Sequence, residues 1–523
     1  MSHSKPTRHA LALTILLALL ATPLVASAAP QRETRSGRVA SATSQRQTRN
    51  KQITREVAAD NRAAMLVTSS ADIRVVPGAD DVFRIVVDLE YWSNEEEWMT
   101  AVDQEFDVAI DESSRRVSFE PTSLPDLGRQ SWFQRLFNSR RISFELDVTL
   151  EVPSGTALTI ENRYGDVSID TIGGAAEISN TSGLVEINGA RGAVSIENRY
   201  GDVNAGDIDG DLDLNVTSGK LTIDAVTGSV DITNSYGDVE LHGVSGTAEI
   251  NVTSGSVSAE DIGGRTDIVG SYGAVEAQMI GGPLTVEATS GSVTVRSVNG
   301  DVQLRSSYGT IEVETVTGNF TSHGTSTEGT VRGVTGSVRM ENSYGGLLVE
   351  DTGETVVIDN TNGNVTVNQA GGDARITSSY SAVRALGIGG DLEVEGTSMG
   401  VNAEDIGGAA QVRTSYDAVT LRGVGGPVTV VNQSGAVTVT GLVGDAPAAH
   451  HRIETSYDDI VFEFPRAAGT PTFEIETTYG RITSDYPGTS EERGSTRSMR
   501  SPGEAGATIV LTARNGNVTL RQR

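Results

Sequence analysis

The sequence predicts an all-β protein, a single-stranded parallel β-helix with about 18 residues per coil and a β-rich cap before the first coil. Valine, leucine or isoleucine recurs every 18 residues from Val167 to Ile311, and alternating apolar residues form two short runs in each period. Glycine recurs at one register between the runs, as at Gly174 and Gly192. Two short strands cannot form a domain alone, so successive periods must stack and bury one continuous apolar core.

The first element is a predicted signal peptide over residues 1–29. Lys5 and Arg8 precede an apolar run from Ala10 to Ala26, and Ala26-Ser27-Ala28 has the small-x-small pattern of a cleavage site. No second apolar segment follows, so no transmembrane segment is expected after cleavage. The chain has no cysteine and therefore no disulfide. We expect an exported protein that is periplasmic, at the cell surface or secreted.

Residues 30–62 are predicted to be a basic disordered linker. They hold eight arginine and lysine residues, few acidic residues and almost no large apolar side chains, so they cannot bury enough surface to fold. The whole chain carries a formal net charge of -29, which places an acidic body behind this segment. An acidic body argues against a nucleic-acid partner, because nucleic-acid binding needs a clustered basic surface.

Residues 63–153 are predicted to be a β-rich N-terminal cap, because they lack the repeat and contain longer alternating strands such as "VFRIVVDLEYW". A cap is expected because the bare end of a stack would otherwise template aggregation. Residues 127–141, "LGRQSWFQRLFNSRR", differ from their surroundings. On a helix they would place four apolar residues on one stripe, which suits a membrane or partner contact or a segment laid over the first coil; these residues are Trp132, Phe133, Leu136 and Phe137.

Residues 154–443 are predicted to form the regular coils, with a two-residue slip of the apolar lattice near Ser326 before it resumes at Leu347. Residues 444–523 are expected to form irregular coils. They contain turn insertions and a polar loop over residues 486–506, after which "ARNGNVTL" from Ala513 restores the coil pattern. The polar loop is therefore expected to leave the stack and return.

Tyrosines recur every 36 residues at one register, and serine occupies that register in most of the intervening coils. Large and small residues in alternate layers indicate either a packing arrangement or an exposed aromatic row that stacks on sugar rings. The row is a possible ligand-facing site made of Tyr164, Tyr200, Tyr236, Tyr272, Tyr308, Tyr344, Tyr380 and Tyr416.

Two groups of residues have side chains that could bind a metal ion, but neither group predicts a metal site. Asp166, Asp202 and Asp238 follow the first three of these tyrosines, but later copies lose the carboxylate, whereas a calcium ladder needs oxygen ligands in coil after coil. A side chain that stabilises its own turn is the favoured interpretation. His450-His451 lies near Asp458 and Asp459, yet adjacent histidines on an insertion are usually solvated. No catalytic motif or cofactor motif is found.

The stretch "LDVTLEVPSGTALTIENRYGDVSI" resembles the putative adhesin family of bacterial β-strand-repeat domains, also called Toastrack. The resemblance extends over about residues 63–523 and includes the ending "IVLTARNGNVTL". It implies a β-helix at the cell envelope in adhesion or envelope-stress contexts. It transfers no catalytic residue.

These observations predict a non-enzymatic, exported cell-envelope protein that acts as an adhesin or scaffold by presenting repeated turn surfaces. The expected partner is an envelope polysaccharide or protein, with no cofactor. One alternative is a carbohydrate-binding or polysaccharide-cleaving β-helix protein, because such enzymes occur on this fold. A second alternative is a component of an envelope-stress sensor.

Overall fold

A computed structural model describes residues 48–79, 81–124, 142–503 and 506–523. The predicted signal peptide, residues 30–47 and the apolar stripe at Trp132, Phe133, Leu136 and Phe137 lie outside the described residues. The described chain forms a parallel β-solenoid of about 16 coils with about 18 residues per coil, which confirms the predicted fold class. Within the described ranges no helix is both long and apolar enough to cross a membrane.

Most regular coils consist of two strands, and four consist of one continuous strand of 15 residues. The strands of each coil pair in parallel with those of the next coil. The first regular coil is β8 and β9, and the last is β34 and β35. The strands are β8 (Leu158–Tyr164), β9 (Val167–Ile169), β10 (Ala176–Ser182), β11 (Val185–Ala190), β12 (Val194–Tyr200), β13 (Val203–Ile208), β14 (Leu212–Ser218), β15 (Leu221–Val226), β16 (Val230–Tyr236), β17 (Val239–Val244), β18 (Ala248–Ser254), β19 (Val257–Ile262), β20 (Thr266–Tyr272), β21 (Val275–Ile280), β22 (Leu284–Ser290), β23 (Val293–Val298), β24 (Val302–Val316), β25 (Phe320–Val334), β26 (Val338–Tyr344), β27 (Leu347–Thr352), β28 (Val356–Asn362), β29 (Val365–Ala370), β30 (Ala374–Ile388), β31 (Leu392–Ile406), β32 (Ala410–Thr414), β33 (Val419–Val424), β34 (Val428–Asn432) and β35 (Val437–Thr440).

The register of these strands keeps one offset of 18 residues throughout. Ile178 pairs with Ile160 on one side and Ile196 on the other, and all three side chains are buried. Alternate residues point inward, since successive side chains of a strand face opposite sides. The inward residues of all coils therefore form one continuous core.

The predicted slip of the lattice near Ser326 is wrong. Ile311 pairs with Gly329, and Gly329 pairs with Leu347, so the period of 18 is unbroken and glycine occupies the apolar position of one coil. A Cβ atom at Gly329 would lie 2.9 Å from the end of the Met340 side chain and 3.1 Å from Leu347. These neighbouring side chains fill the space that the missing one leaves.

The N-terminal end departs from the order of the chain. Its elements are β1 (Arg49–Ala58), β2 (Ala63–Val67), β3 (Asp72–Pro77), β4 (Val82–Ser93), α1 (Glu96–Glu105), β5 (Val108–Glu112), β6 (Arg116–Pro121) and β7 (Ile142–Val152). The coil made of β2 and β3 lies between β8 and β9 on one side and β6 and β7 on the other. Strand β5 then adds antiparallel to β6, β4 to β7, and β1 to β4.

The predicted disordered linker is wrong for residues 49–58, which form β1. The Ile53 side chain of this strand is buried. The basic side chains of Arg49 and Lys51 contact α1. Arg49 pairs with Glu96 and Asp103 of α1, and the Lys51 ammonium donates to the Val102, Asp103 and Phe106 carbonyl oxygens at the end of that helix. Cations suit the negative end of a helix dipole, so the charges order this strand.

The C-terminal end also departs from the order of the chain. Its strands are β36 (His450–Thr455), β37 (Ile460–Phe464), β38 (Thr472–Thr477), β39 (Ile482–Ser484), β40 (Thr489–Arg493), β41 (Thr496–Ser501), β42 (Thr508–Ala513) and β43 (Val518–Gln522), with short 3₁₀ helices at Ala446–Ala448 and Arg466–Ala468. The last coil in the chain, β42 and β43, lies between β36 and β37 on one side and β38 and β39 on the other.

Residues 486–506 were predicted to be a polar loop that leaves the stack, but they contain a β-hairpin that adds to the outermost coil. Strand β41 adds antiparallel to β38, and β40 adds antiparallel to β41. The Arg500 guanidinium contacts Glu474 on β38, which ties the hairpin to the coil beneath it. Polar composition alone predicted a loop here, because an edge hairpin with solvent on its outer side needs few apolar residues.

Candidate functional site

One corner of every regular coil carries the tyrosine register, and glycine sets its geometry. In the coil that contains Tyr200, the next residue is Gly201, whose φ is 131°. A Cβ atom at Gly201 would lie 2.1 Å from the Gly183 carbonyl oxygen of the preceding coil. The corner therefore needs glycine for two reasons, its left-handed backbone and the close approach of the adjacent layer.

Buried asparagines bind successive corners together, and the sequence analysis missed them. The Asn198 amide donates to the Gly201 carbonyl oxygen of its own corner and to the Gly183 carbonyl oxygen of the preceding corner, at 3.1 Å each. The available signal was an asparagine two residues before the tyrosine or serine, as in "ENRYGD" and "SNTSGL". The buried asparagines at this register are Asn162, Asn180, Asn198, Asn234, Asn342, Asn360 and Asn432.

The aspartates after the corner glycine bond to the next coil rather than to their own turn. Carboxylate oxygens of Asp166, Asp202 and Asp238 accept from the backbone N–H groups of Leu184, Lys220 and Ser256, each 18 residues later, at 2.8 Å. The favoured interpretation as a turn residue is corrected in this respect, because the stacked backbone is the nearer donor. Coils without the carboxylate lose one interlayer hydrogen bond and keep the backbone ladder.

The tyrosine rings point into solvent. All eight tyrosines of the predicted row are between 51% and 66% exposed. Tyr200 pairs in register with Ser182 and Ser218, so rings and small side chains alternate from one layer to the next. Neighbouring rings therefore lie two layers apart, roughly 9.6 Å from the layer spacing.

The alternation of rings and small residues continues through the C-terminal end. It follows the order in which the strands are stacked, not their order in the chain. Thr455, Ala513 and Thr477 pair in that order across β36, β42 and β38. Two residues later in each strand stand Tyr457, Asn515 and Tyr479, so ring, small residue and ring follow one another in space. Both rings are exposed, at 58% and 68%. In total, ten exposed tyrosines occupy this register.

A column of hydroxyl groups runs beside the tyrosine row, one residue earlier in each strand. From Ser235 to Ser415 this position is serine or threonine in every coil, and none of these residues is buried. The column consists of Ser235, Thr253, Ser271, Thr289, Ser307, Thr325, Ser343, Thr361, Ser379, Thr397 and Ser415. The corner thus presents flat rings beside uncharged hydrogen-bonding groups.

The histidine pair considered as a metal ligand is not arranged for that role. His451 is buried, its Nε2 lies 2.9 Å from the Ala446 carbonyl oxygen, and its Nδ1 accepts from the Val428 N–H at 3.3 Å. Burial lowers the pKa of the His451 imidazole, which stays neutral. His450 points to the opposite face of the strand and is exposed. Among the described residues, no three histidine, aspartate or glutamate side chains form a cluster suited to a metal ion.

One groove contains several carboxylates. It has a volume of about 660 Å³, lies where β2 and β6 meet the first coils, and is lined by Glu120, Glu161, Glu177, Glu197 and Arg163 among others. Glu161 and Glu197 pair in register with Ser179, which lies between them. They therefore project from alternate layers of one sheet face, with Arg163 on the same side of the groove.

The fold and this corner define the protein as a parallel β-solenoid that exposes one aromatic row. The chain belongs to the Toastrack DUF4097 family, whose model matches residues 63–343. The matched range begins at β2 and includes the first ten regular coils. A search of curated proteins gave no match.

Three solved structures are similar to this chain. A putative cell adhesion protein from Clostridium sporogenes is 7% identical over 91% of this chain and 100% of its own, with a TM-score of 0.13. A putative adhesin from Bacteroides fragilis is 10% identical over 52% and 97%, with a TM-score of 0.16. A putative adhesin from Parabacteroides merdae is 10% identical over 68% and 96%, with a TM-score of 0.15. Identities and TM-scores this low carry no argument about ligands.

Proposed function

We propose that this protein is a non-enzymatic, exported cell-envelope adhesin or scaffold that binds an envelope polymer through its tyrosine row. The observation that carries the proposal is the set of ten exposed tyrosines at one register of the stacked coils. Family membership supports the envelope context, and the signal-peptide pattern at residues 1–29 supports export.

The fold does not need these rings. Ser182, Ser218 and Ser254 occupy the same register in the intervening coils with the same backbone pairing, so a hydroxymethyl group satisfies the corner. An exposed tyrosine adds apolar area in contact with water, which is favourable only when a partner covers it. Tyrosine suits a binding surface because it offers a rigid ring with a polar tip and loses little conformational entropy.

The rings are held by a rigid support. Tyr200 ends a strand that pairs on both sides, and its corner is fixed by Gly201 and the buried Asn198. A glycine also follows each ring from Tyr164 to Tyr344. A ligand that contacts several rings therefore does not have to order them first, and preorganisation of this kind reduces the entropic cost of binding.

A binding assay on native envelope fragments tests this proposal. A variant of the mature chain carries serine at four adjacent ring positions, Tyr200, Tyr236, Tyr272 and Tyr308, and imitates the intervening coils. We expect it to keep its thermal stability and lose most of its envelope binding. The matched control carries serine at Val269 and Met279, which are also exposed but lie off the row. Equal binding by the four-serine variant and the wild type would refute the proposal.

The alternative of a polysaccharide-cleaving protein rests on the carboxylates of the groove near β6. Glycoside hydrolysis uses a pair of carboxylates, so release of reducing ends from envelope polysaccharide is the relevant measurement. We expect no release by the wild type. Release that disappears in Glu161→Gln or Glu177→Gln would replace the non-enzymatic assignment with a hydrolase.

A further inference from the structure

Building on the proposed binding role of the tyrosine row, we infer that its ligand is a proline-rich segment in the polyproline II conformation, with one turn of the ligand on each tyrosine. The segment belongs to a partner protein at the envelope. Two properties of the corner lead to this ligand: the repeat distance of the rings, and the column of uncharged hydroxyl groups at the register next to them.

The repeat distance selects among extended polymers. Rings in alternate layers recur about every 9.4–9.8 Å, which is twice the strand spacing. A polyproline II helix has three residues per turn and rises 3.1 Å per residue, so one face recurs about every 9.3 Å. A β-strand repeats a face about every 6.8 Å, and an α-helix makes a turn in about 5.4 Å. Among these polypeptide conformations, only the polyproline II repeat matches the spacing of several consecutive rings.

The threefold symmetry of this helix adds a second match. With three residues per turn, every third side chain projects from the same side. From Tyr236 to Tyr344 each ring position pairs in register with the small residue of the next coil, so these rings stay aligned along the stack. A proline at every third position therefore meets a ring at every turn. Aromatic surfaces dock such segments because the ligand is already extended and loses little entropy.

The hydroxyl column supplies what the ligand backbone lacks. Polyproline II has no internal hydrogen bonds, so its carbonyl oxygens need donors when a surface displaces their water. Ser271 directly precedes Tyr272 and Ser307 directly precedes Tyr308, so a partly exposed hydroxyl group occupies the register before each of these rings. Proline itself offers no N–H, so it uses the donor capacity of a hydroxyl group and not its acceptor capacity.

The charge pattern narrows the ligand further. The chain has a formal net charge of -29, yet the hydroxyl column from Ser235 to Ser415 is uncharged in eleven consecutive coils. A strongly anionic polymer would be repelled by the acidic body, and a neutral or basic proline-rich segment would not. The ring positions from Tyr236 to Tyr416 are therefore the section that we expect to bind.

Titration calorimetry with synthetic peptides tests the inference. Oligoprolines of 6, 12 and 18 residues span about two, four and six turns, so affinity should rise with each added turn. Among 18-residue peptides of equal proline content, one with evenly spaced prolines at every third position should bind more tightly than one with irregular spacing. Equal affinity for both peptides would overturn the inference.

Variants of the protein assign the binding to the row. Each of Tyr272→Ser, Tyr308→Ser and Tyr344→Ser should weaken binding of the 18-residue oligoproline roughly two- to tenfold, which is the effect of one lost ring contact. Tyr308→Phe should retain most of the affinity, because stacking persists without the hydroxyl group. Met279→Ser is the control and should change nothing, because Met279 is exposed near the far end of β21 and Ser297 occupies its register in the next coil. Unchanged binding by all three serine variants would contradict the inference.

Failure of this inference and failure of the proposed function give different results. If envelope binding depends on the tyrosines but no oligoproline binds, the proposed function stands and the ligand is wrong. If a β-1,4-linked glucose hexasaccharide binds in a tyrosine-dependent way and oligoproline does not, the row takes a glycan instead. If the four-serine variant binds envelope fragments as the wild type does, both proposals fall.

Discussion

The middle of the stack and its two ends differ in how the order of the strands in the chain relates to the order of the layers. From β8 to β35, chain order and layer order coincide, and every strand pairs in parallel with the next coil. At both ends the orders differ: β2 and β3 are enclosed at one end, and β42 and β43 are enclosed at the other. Antiparallel strands then add to the outermost parallel strands through β4, β5 and β41.

The difference shows that the middle of a solenoid depends on contacts between consecutive coils. Its ends depend on pairings between strands that are far apart in the chain. A parallel edge exposes unpaired backbone groups that template further pairing. Enclosing one coil between two others ties each terminus into the stack, and we infer that the antiparallel strands cap it. The tyrosine register follows the layers through the C-terminal rearrangement.

The largest predicted effect comes from a corner glycine of the middle region. Gly201→Ala forces a Cβ atom to within 2.1 Å of the Gly183 carbonyl oxygen at a φ of 131°. We expect a loss of about 3 kcal/mol or more in the free energy of unfolding, measured by chemical denaturation.

A glycine of the C-terminal hairpin is the matched control. Gly494 also has a positive φ, of 64°, but nothing lies within 4 Å of the position of its Cβ atom. Gly494→Ala should therefore cost only about 1 kcal/mol, which is the conformational part of the effect. Equal losses at the two glycines would show that stacking does not constrain the corner.

A buried asparagine of the middle region gives the next largest effect. Asn198→Asp places a buried carboxylate against the two carbonyl oxygens that the amide now binds, so we expect a loss of about 3 kcal/mol at neutral pH. Protonation of the new carboxyl should restore part of the loss in acid.

The control for this prediction is Asn198→Val, because Val216 and Val252 occupy the same register in other coils. It removes two amide hydrogen bonds but also the unpaired Asn198 Oδ1, so it should cost about 1–2 kcal/mol, less than the aspartate variant. Thermal unfolding of both variants at pH 7 and pH 4 provides the test, and an aspartate variant as stable as the valine variant would contradict it.

Substitutions at two lysines compare the N-terminal end of the stack with its middle. Lys51→Met removes the ammonium group that binds three carbonyl oxygens at the end of α1, so we expect a loss of about 1–2 kcal/mol in the free energy of unfolding. Lys220→Met removes an exposed ion pair with Glu240 and should cost no more than about 0.5 kcal/mol. The opposite ranking would mean that β1 is not held as described.

The smallest predicted effect concerns pH at the C-terminal end. Burial lowers the pKa of His451, so above the ordinary histidine pKa of about 6.5 both folded and unfolded chains are neutral at this residue. As the pH falls below that value, the unfolded chain binds a proton first, and stability decreases until the folded pKa is reached. Denaturation of the wild type and His451→Gln between pH 7.5 and 5 should show a smaller decrease in the variant. Identical pH profiles would exclude a contribution from His451.

The sequence predicted the middle of the fold well because its rules are local. Val167, Val185 and Val203 pair in register as their spacing required. The spacing of the tyrosines did not decide between packing and exposure, and the rings are exposed. Residues 18 positions apart have the same surroundings in the stack, so the same residue types recur with that period. The apparent slip near Ser326 arose because Gly329 replaces an apolar residue and its neighbours fill the gap.

The strand order at the two ends and the hydrogen bonds at the corner could not be predicted from the sequence. Strand β1 depends on contacts between Lys51 and a helix end some fifty residues later, and no local pattern reports such a contact. The exchange of coil order between β38 and β42 leaves no periodic signal either. The Asn198 amide and the Asp202 carboxylate bind across layers, which becomes visible only when the strands are stacked.

The order of the C-terminal coils tests the central claim, that stacking continues through the ends in layer order and carries the tyrosine row with it. The chain has no native cysteine, so introduced pairs report proximity directly. Thr512 pairs in register with Glu454 and with Glu476 on its two sides, and all three side chains point outward. Glu454→Cys with Thr512→Cys should form a disulfide, since paired strands lie within its reach. Glu454→Cys with Glu476→Cys should not, and the reverse outcome would contradict the layer order.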